Sequence, residues 1–151
     1  MDKGMLGTQV VTQIGFIVRD IDATKKKFAA LLGVEEPAAF WTDGYDKAQT
    51  EFLGKPCPAE ARLAFFDIGP SLQLELIQPD EHPSVWRNFL EEKGEGVHHI
   101  AFQIKDMKKK VADLDKLGIP LLQKGEYTGG RYAYMDSTAD LKVLLELLEN
   151  D

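Results

Sequence analysis

The sequence predicts an α+β protein made of two copies of one β-α-β-β-β unit, and three observations support this fold class. Residues 12–20 (TQIGFIVRD) align without a gap on residues 98–106 (HHIAFQIKD), 86 positions further on. Each segment leads into a lysine-rich helical pattern that ends in Leu-Gly and a β-branched residue. Each copy then closes on an apolar strand that carries Leu-Glu-Leu. Self-similarity of this kind indicates one supersecondary unit used twice.

The first copy, about residues 10–80, begins with a strand in which apolar residues alternate, the period expected of a strand with one covered face. A helix follows, with Asp20 or Asp22 as its N-terminal cap and Gly33 as its left-handed end. The later strands of this copy are expected at residues 61–68 and 72–77.

The second copy, about residues 97–149, repeats this order with a shorter middle. Its helix is expected to have Asp106 as its N-terminal cap and to end at Gly118, and its later strands include residues 131–135 and 143–148. Between the copies, residues 83–93 read as a linking helix with Pro83 in its first turn. The whole chain, residues 1–151, is expected to form a single domain, since 44% hydrophobic residues suffice for a core.

Composition excludes several classes of partner. A formal net charge of -7 argues against nucleic acid or an anionic membrane surface, and the two lysine triplets sit in helical patterns as solvated faces. Cys57 is the only cysteine, so no intramolecular disulfide can form and a reducing compartment is expected. Neither a secretion signal nor a membrane span is evident, which favours a cytoplasmic protein.

Four polar side chains stand at equivalent positions of the repeat. Because side chains alternate between the two faces of a strand, the apolar residues that should pack on helices turn their neighbours to the opposite face. On that face the two copies place, in chain order, Gln13, Glu75, His99 and Glu146. The repeat therefore directs one amide, one imidazole and two carboxylates into one concave surface.

A divalent metal explains this arrangement. An unpaired carboxylate buried in an apolar strand is costly or loses its charge through a pKa shift. Taken singly, each residue also has an ordinary explanation: a glutamate at a sheet edge or paired with a base, a surface glutamine, a satisfied core histidine. Their joint occurrence at repeated positions favours the metal, and an oxygen-rich set with one nitrogen accepts cobalt, nickel, manganese, zinc or magnesium.

The three histidines have different expected roles. His99 precedes Ile100 as Gln13 precedes Ile14, so His99 is the predicted ligand. His98 falls on the helix-facing side, where it could orient His99 from behind. His82 lies next to a proline in a linker and is expected at the surface.

Residues 94–102 (GEGVHHIAF), preceded by Phe-Leu-Glu, resemble the methylmalonyl-CoA epimerases of the vicinal-oxygen-chelate superfamily, which includes glyoxalase I and the bleomycin-resistance proteins. Residues 75–79 and 144–149 look like the second and fourth metal-ligand strands of the same family. The resemblance spans about residues 10–149. It implies that the paired units form an open, cup-shaped mixed sheet around the metal, the glyoxalase-like fold.

The resemblance also implies a chemistry. A substrate would chelate the metal through two neighbouring oxygens, so that a proton α to a carbonyl becomes removable through an enolate. For an epimerase the substrate is methylmalonyl-CoA or a similar acyl-CoA thioester. Glu146, a ligand able to detach, is the expected base, and Glu60 and Glu51 are the neighbours of the position where the family has a further catalytic glutamate. A homodimer is the expected assembly.

Two alternatives stay open. These epimerases usually have histidine where this chain has Gln13, and the resulting ligand set is similar to that of some glyoxalase I enzymes, which are lactoylglutathione lyases. A non-catalytic binder of small molecules, like the drug-resistance branch, is the other alternative. An extradiol dioxygenase is disfavoured, since it would need a second histidine ligand.

Candidates for gripping the rest of the substrate are few. Arg131, after two glycines, could bind a carboxylate or phosphate bidentately with help from Lys124, although a surface salt bridge is an equal alternative for each. Trp41 and Tyr45 could line the cup or simply pack.

Overall fold

The fold is a single mixed sheet of ten strands, curled into a half-barrel and flanked by five helices. The computed structural model describes residues 4–151. The first half contains β1 (Gln13–Ile17), α1 (Ile21–Leu32), β2 (Phe40–Trp41), α2 (Tyr45–Ala48), β3 (Glu51–Phe52), β4 (Lys55–Pro56), β5 (Ala61–Ile68) and β6 (Leu72–Pro79). The helix α3 (Val85–Lys93) connects it to β7 (Gly96–Gln103), α4 (Met107–Lys116), β8 (Leu121–Tyr127), β9 (Gly130–Met135), α5 (Thr138–Leu141) and β10 (Leu144–Asn150). The predicted glyoxalase-like fold class is confirmed.

The two halves meet within this one chain at the middle of the sheet. The strand order is β2-β5-β6-β1-β7-β10-β9-β8-β3-β4. In each half the first and last strands pair in parallel, β1 with β6 and β7 with β10, and β1 then pairs with β7 in antiparallel fashion. The four central strands are therefore the two repeated strands and the two closing strands.

The helices α1 and α4 cover the convex face, as the alternation of apolar residues predicts. Ile21 and Ala29 of α1 pack with Leu74 and Leu76 of β6. In the second half, Met107 and Leu114 of α4 pack with Leu145 and Leu147 of β10. Asp20 caps α1 by accepting a hydrogen bond from the Ala23 amide, and Gly33 ends it in the left-handed conformation. These contacts leave the other face of the central strands to the concave side.

Three features differ from the expectation. Asp106 occupies the N-cap position of α4, but its backbone is left-handed and its side chain accepts no cap hydrogen bond. Ser84, not Pro83, begins the linking helix: its hydroxyl accepts a hydrogen bond from the Arg87 amide and Val85 is the first helical residue. The largest difference is the connection after β2, which runs from one edge of the sheet to the other and adds the β3–β4 hairpin to β8 of the second half. Residues 42–50 thus bridge the two edges of the cup.

None of the helices within residues 4–151 is long and apolar enough to span a membrane.

Candidate metal centre

The four predicted ligands lie on four adjacent strands at the middle of the sheet. Gln13 is on β1, Glu75 on β6, His99 on β7 and Glu146 on β10. In the sheet register Gly15 lies between Glu75 and His99, and Glu146 lies opposite Ala101. All four side chains are buried, with His99 fully so. The repeat therefore brings together residues that are up to 133 positions apart, from 13 to 146.

Three side-chain oxygens lie close to Nε2 of His99. Nε2 of His99 lies 2.9 Å from Oε1 of Gln13, 3.4 Å from Oε1 of Glu75 and 3.4 Å from Oε1 of Glu146. Ligands about 2.0–2.2 Å from one metal ion have neighbours roughly 3–3.5 Å away. The separations around His99 are therefore those of adjacent donors in a coordination shell.

The hydrogen bonds of His98 determine which ring nitrogen of His99 is unprotonated. The His98 ring is neutral, because burial lowers its pKa to about 4. Its Nε2 must donate, since its partner 3.2 Å away is the Val85 carbonyl of α3. Its Nδ1 therefore accepts the proton of His99 Nδ1, 2.9 Å away. His99 Nε2 is left with a lone pair directed at three oxygens, which is the tautomer that binds metal.

Burial makes the carboxylates costly to ionise without a cation. Desolvation raises the pKa of Glu75 well above its usual value, and the neighbouring charge of Glu146 raises it further. Desolvation also raises the pKa of Glu146, to about 8, against the lowering effect of a hydrogen bond from the Tyr134 hydroxyl. The pKa of His99 falls well below its usual value for the same reason of burial. The 3.4 Å contacts are therefore not ion pairs, because the imidazole is neutral.

A divalent cation fits this donor set. Among residues 4–151, the buried side-chain atoms without a hydrogen-bond partner are Oε1 of Glu75 and Oε1 of Glu146, the two oxygens that face His99. Buried oxygens of this kind call for a specific explanation, such as an ion. One divalent ion would neutralise both carboxylates and accept the lone pairs of His99 and Gln13.

Two further residues position these ligands. The side-chain amide N–H of Gln13 donates a hydrogen bond to Oε1 of Gln73, 2.9 Å away, and this bond leaves Oε1 of Gln13 facing His99. Gly15 provides the space for the His99 ring: a Cβ there would lie 2.0 Å from Cε1 and 2.6 Å from Nε2. Strand parity placed both on the concave face, but only the structure shows what they contact.

Three of the four predicted ligands, Gln13, Glu75 and Glu146, line the floor of a cavity of about 500 Å³, and His99 lies buried behind them. Its walls carry aromatic side chains of both halves, among them Trp41, Trp86, Tyr132 and Tyr134. The Tyr134 hydroxyl accepts a hydrogen bond from Nε1 of Trp86, 3.1 Å away, and its ring stands edge-on to His99 with centroids 5.2 Å apart. The alternation of Tyr132 and Tyr134 along β9 was the available signal for their inward orientation.

Glu51 and Glu60, the two glutamates suggested as further bases, do not line this cavity. Glu51 pairs with Lys124 at 3.3 Å on the outer groove, because β3 joins the edge of the second half. The acidic residues that do line the cavity beside the ligands are Asp43, in the bridging segment, and Glu126. No motif marks either one in the sequence.

Arg131 also points away from the cavity. It pairs with Glu149 at 2.9 Å and Glu126 at 3.6 Å and lies in the groove beside α4 with Lys124. These carboxylates satisfy its guanidinium, so it is a structural ion pair. Trp41 lines the cavity, whereas Tyr45 does not.

A second cluster of possible ligand atoms is formed by Asp80, Glu81 and His82, which are adjacent in sequence and partly exposed. Asp80 already accepts hydrogen bonds from the Glu60 amide and from His82. A turn held by its own carboxylate explains this cluster, in keeping with the expected surface position of His82.

Comparison with known proteins places this geometry in context. Residues 12–134 match the glyoxalase/bleomycin resistance protein/dioxygenase superfamily. The uncharacterized protein YqjC of Bacillus subtilis (strain 168) is 33% identical over 93 residues, covering 60% of this chain and 66% of YqjC, just under two thirds of its length. A 2-epi-5-epi-valiolone epimerase of Actinomyces sp is 27% identical over 142 residues, covering 87% of this chain and 75% of that enzyme.

Among solved structures, the methylmalonyl-CoA epimerase of Mycobacterium tuberculosis superposes with a TM-score of 0.64 at 24% identity. The superposition covers 99% of this chain and 95% of that one. At this identity the likeness shows a common fold.

Proposed function

The chain belongs to the glyoxalase/bleomycin resistance protein/dioxygenase superfamily, and on this premise we propose that it is a metal-dependent epimerase. The proposed reaction removes the proton from the carbon next to a carbonyl and returns it to the opposite face through an enolate. The observation that carries the proposal is the pair of unpartnered buried oxygens, Oε1 of Glu75 and Oε1 of Glu146, which both lie 3.4 Å from Nε2 of His99.

The ligands of the proposed ion are Gln13, Glu75, His99 and Glu146. A divalent ion bound there supplies Lewis-acid stabilisation for negative charge that develops on a substrate oxygen. The aromatic walls exclude water from the floor and so strengthen that electrostatic effect. Gln73 and His98 hold the amide and the imidazole in the orientation that presents their lone pairs.

Glu146 is the proposed proton acceptor. Without an ion, burial raises its pKa to about 8. A Glu146 carboxylate that detached from the ion would therefore be a stronger base than an ordinary carboxyl. The Tyr134 hydroxyl moderates that rise by hydrogen bonding to the ionised form. Epimerisation needs a second proton carrier, and Asp43 and Glu126 now replace Glu51 and Glu60 as candidates because they line the cavity.

The substrate carries a carbonyl, a neighbouring oxygen and an α-proton. Two kinds of compound meet this requirement among similar proteins: the acyl-CoA thioester named for the Mycobacterium tuberculosis enzyme, and the 2-epi-5-epi-valiolone named for the Actinomyces relative. Methylmalonyl-CoA or a similar thioester is the substrate that the sequence resemblance implies, and it provides the first test.

The test is exchange of the α-proton of methylmalonyl-CoA for deuterium in heavy water, followed by NMR. The metal-loaded protein should exchange it and the metal-stripped protein should not. Glu146→Gln should abolish exchange, whereas Glu51→Gln should retain it because Glu51 faces the outer groove. Exchange that persists without metal, or in Glu146→Gln, would contradict the proposed roles.

A glyoxalase I-type lyase is the second candidate, favoured by the amide ligand Gln13. It predicts conversion of the hemithioacetal of methylglyoxal and glutathione, with no exchange of a thioester. A non-catalytic binder would exchange or convert neither compound while still binding a ligand in the cup.

A further inference from the structure

We infer that the cavity selects an uncharged, polyhydroxylated ketone in preference to an anionic substrate such as an acyl-CoA. The inference deepens the proposed function and rests on it, because it takes the same cavity floor as the reacting end of the site. It depends on the charge, hydrogen-bonding groups and aromatic surface of the walls.

The ionisable side chains of the cavity wall favour a neutral ligand. Among residues 4–151, four carboxylate side chains line the cavity, and no lysine, arginine or histidine does. The four are Asp43, Glu75, Glu126 and Glu146. A divalent ion at the floor would balance Glu75 and Glu146. Asp43, which is in no ion pair among residues 4–151, would then leave negative charge on the wall. Glu126 would add to it, because Glu126 shares Arg131, 3.6 Å away, with Glu149 and Asp151. This net negative charge repels phosphates and carboxylates.

The nearby cationic side chains cannot offset this charge. Lys124 lies 3.3 Å from Glu51, and Arg131 is shared between Glu149 at 2.9 Å and Glu126 at 3.6 Å; both cations lie in the groove beside α4 and outside the cavity. On the other side Arg62 is paired with Asp22 at 3.0 Å. A diphosphate near Lys124, Arg131 or Arg62 would meet a cation that already has a carboxylate partner.

The uncharged polar groups match a ligand rich in hydroxyls. The walls carry hydroxyl and amide side chains from both halves, including Thr42, Thr50, Thr128, Tyr127, Gln73 and Gln103. Each of these groups can both donate and accept a hydrogen bond, as a substrate hydroxyl does. Together with the acceptor carboxylates of Asp43 and Glu126, they suit several hydroxyls around one ring.

An exposed aromatic pair provides the apolar part of the site. Phe40 and Trp41 on the edge strand β2 are 48% and 51% exposed and line the cavity. Phe40 is supported from behind by Phe65, with ring centroids 5.8 Å apart. Flat apolar rings at the rim of a polar cavity can cover the C–H face of a saturated ring. The volume of about 500 Å³ lies in the range of small-molecule sites.

The test compares two probes on the metal-loaded protein: a pentahydroxycyclohexanone, which has a ketone flanked by hydroxyl-bearing carbons, and methylmalonyl-CoA. Binding is followed by tryptophan fluorescence, since both Trp41 and Trp86 line the cavity, and by calorimetry. The ketone is expected to bind at least about tenfold more tightly at low salt, because only the thioester is repelled. Raising the salt from about 20 to 300 mM should tighten thioester binding and leave ketone binding unchanged, since salt screens repulsion.

Charge-neutralising variants locate the effect. Asp43→Asn and Glu126→Gln should each improve thioester binding by about two- to tenfold, as expected for removal of one nearby like charge. Asp140→Asn, a change at an exposed acid outside the cavity, should leave both affinities as they are.

The outcomes distinguish failure of the inference about substrate charge from failure of the proposed epimerase function. Tighter binding and faster α-exchange of the thioester than of the ketone would overturn this inference and leave the epimerase proposal standing. Metal-dependent exchange of neither probe would overturn the epimerase proposal, and the fluorescence titrations would still decide the selectivity. Failure of the ketone to bind, or unchanged thioester affinity in both variants, would overturn the inference.

Discussion

Gly15→Ala tests the proposed metal centre through a residue that is not itself a predicted ligand. Gly15 on β1 lies directly opposite His99 on β7, and the imidazole occupies the space above it. The added Cβ would lie 2.0 Å from Cε1, 2.4 Å from Nδ1 and 2.6 Å from Nε2 of His99. To restore an ordinary contact of 3.4 Å, the ring or the strand must move by about 1.4 Å.

The surroundings of His99 oppose that movement. His98 holds Nδ1 at 2.9 Å, and the edge-on Tyr134 ring lies 5.2 Å from the imidazole between centroids. A displacement of about 1 Å costs roughly 100-fold in rate where groups must be aligned, and a disturbed ligand orientation costs about 10- to 100-fold in metal affinity. Overpacking should lower the free energy of unfolding by about 1–3 kcal/mol.

The assay is competition for cobalt or zinc against a chelator of known affinity, with circular dichroism to establish that the variant is folded. Two alanine variants serve as controls. Gly44→Ala adds a Cβ whose nearest neighbour is 4.0 Å away, so affinity and stability should not change. Gly125→Ala places a Cβ 2.7 Å from the Tyr132 ring and should destabilise the protein while retaining the metal. Wild-type metal affinity in Gly15→Ala would refute the placement of His99 as a ligand.

Three further predictions concern the same region. In the metal-free protein the pKa values of Glu75 and Glu146 are raised, whereas those of His98 and His99 are lowered from 6.5, so the two pairs have opposite effects on proton uptake below about pH 6.5. The folded state therefore holds more protons than the unfolded state only between about pH 6.5 and 8. The melting temperature should therefore fall as the pH rises through that window, and added divalent cation should remove the decline; a flat profile without metal would contradict the burial of these carboxyls. Tyr134→Phe removes the acceptor of Trp86 Nε1 and should cost about 1–3 kcal/mol in urea denaturation, and it should shift metal binding to higher pH because Glu146 loses a hydrogen bond; an unchanged pH profile would argue against that bond. Ser137→Ala leaves a buried amide of β10 without its acceptor at 2.8 Å and should cost about 1–3 kcal/mol, whereas the exposed Ser71→Ala should change the unfolding free energy little. Equal stability of the two serine variants would be the contrary result.

The expected fold and ligand face followed from local patterns. Strand parity depends only on a period of two residues, so the inward direction of Gln13, Glu75, His99 and Glu146 could be predicted without knowing how the strands pair. Helix caps are equally local, and α1 has Asp20 as its N-terminal cap and Gly33 as its C-terminal cap, as expected. The repeat then supplied the one long-range statement, that equivalent strands occupy equivalent places.

The acidic residues that line the cavity, Asp43 and Glu126, could not be identified in this way. Glu51 and Glu60 were chosen by their distance along the chain from a ligand, but β3 crosses to the far edge of the sheet and takes Glu51 with it. The Arg131 guanidinium could bind an anionic substrate group, but it lies on the face of β9 that points away from the cavity. There it is paired with Glu149.

By itself, the sequence determined the α+β class, the twofold repeat and the four polar residues on its inward face, because periodicity and turn chemistry act over a few residues. Only the tertiary structure decided that both halves share one sheet within the chain, that residues 42–50 bridge the cup, and that its wall charges are acidic. Those properties depend on which distant segments pair, and pairing is set by closure of the whole sheet. The charge around the proposed metal, and with it the substrate, is therefore a property of the assembled cup.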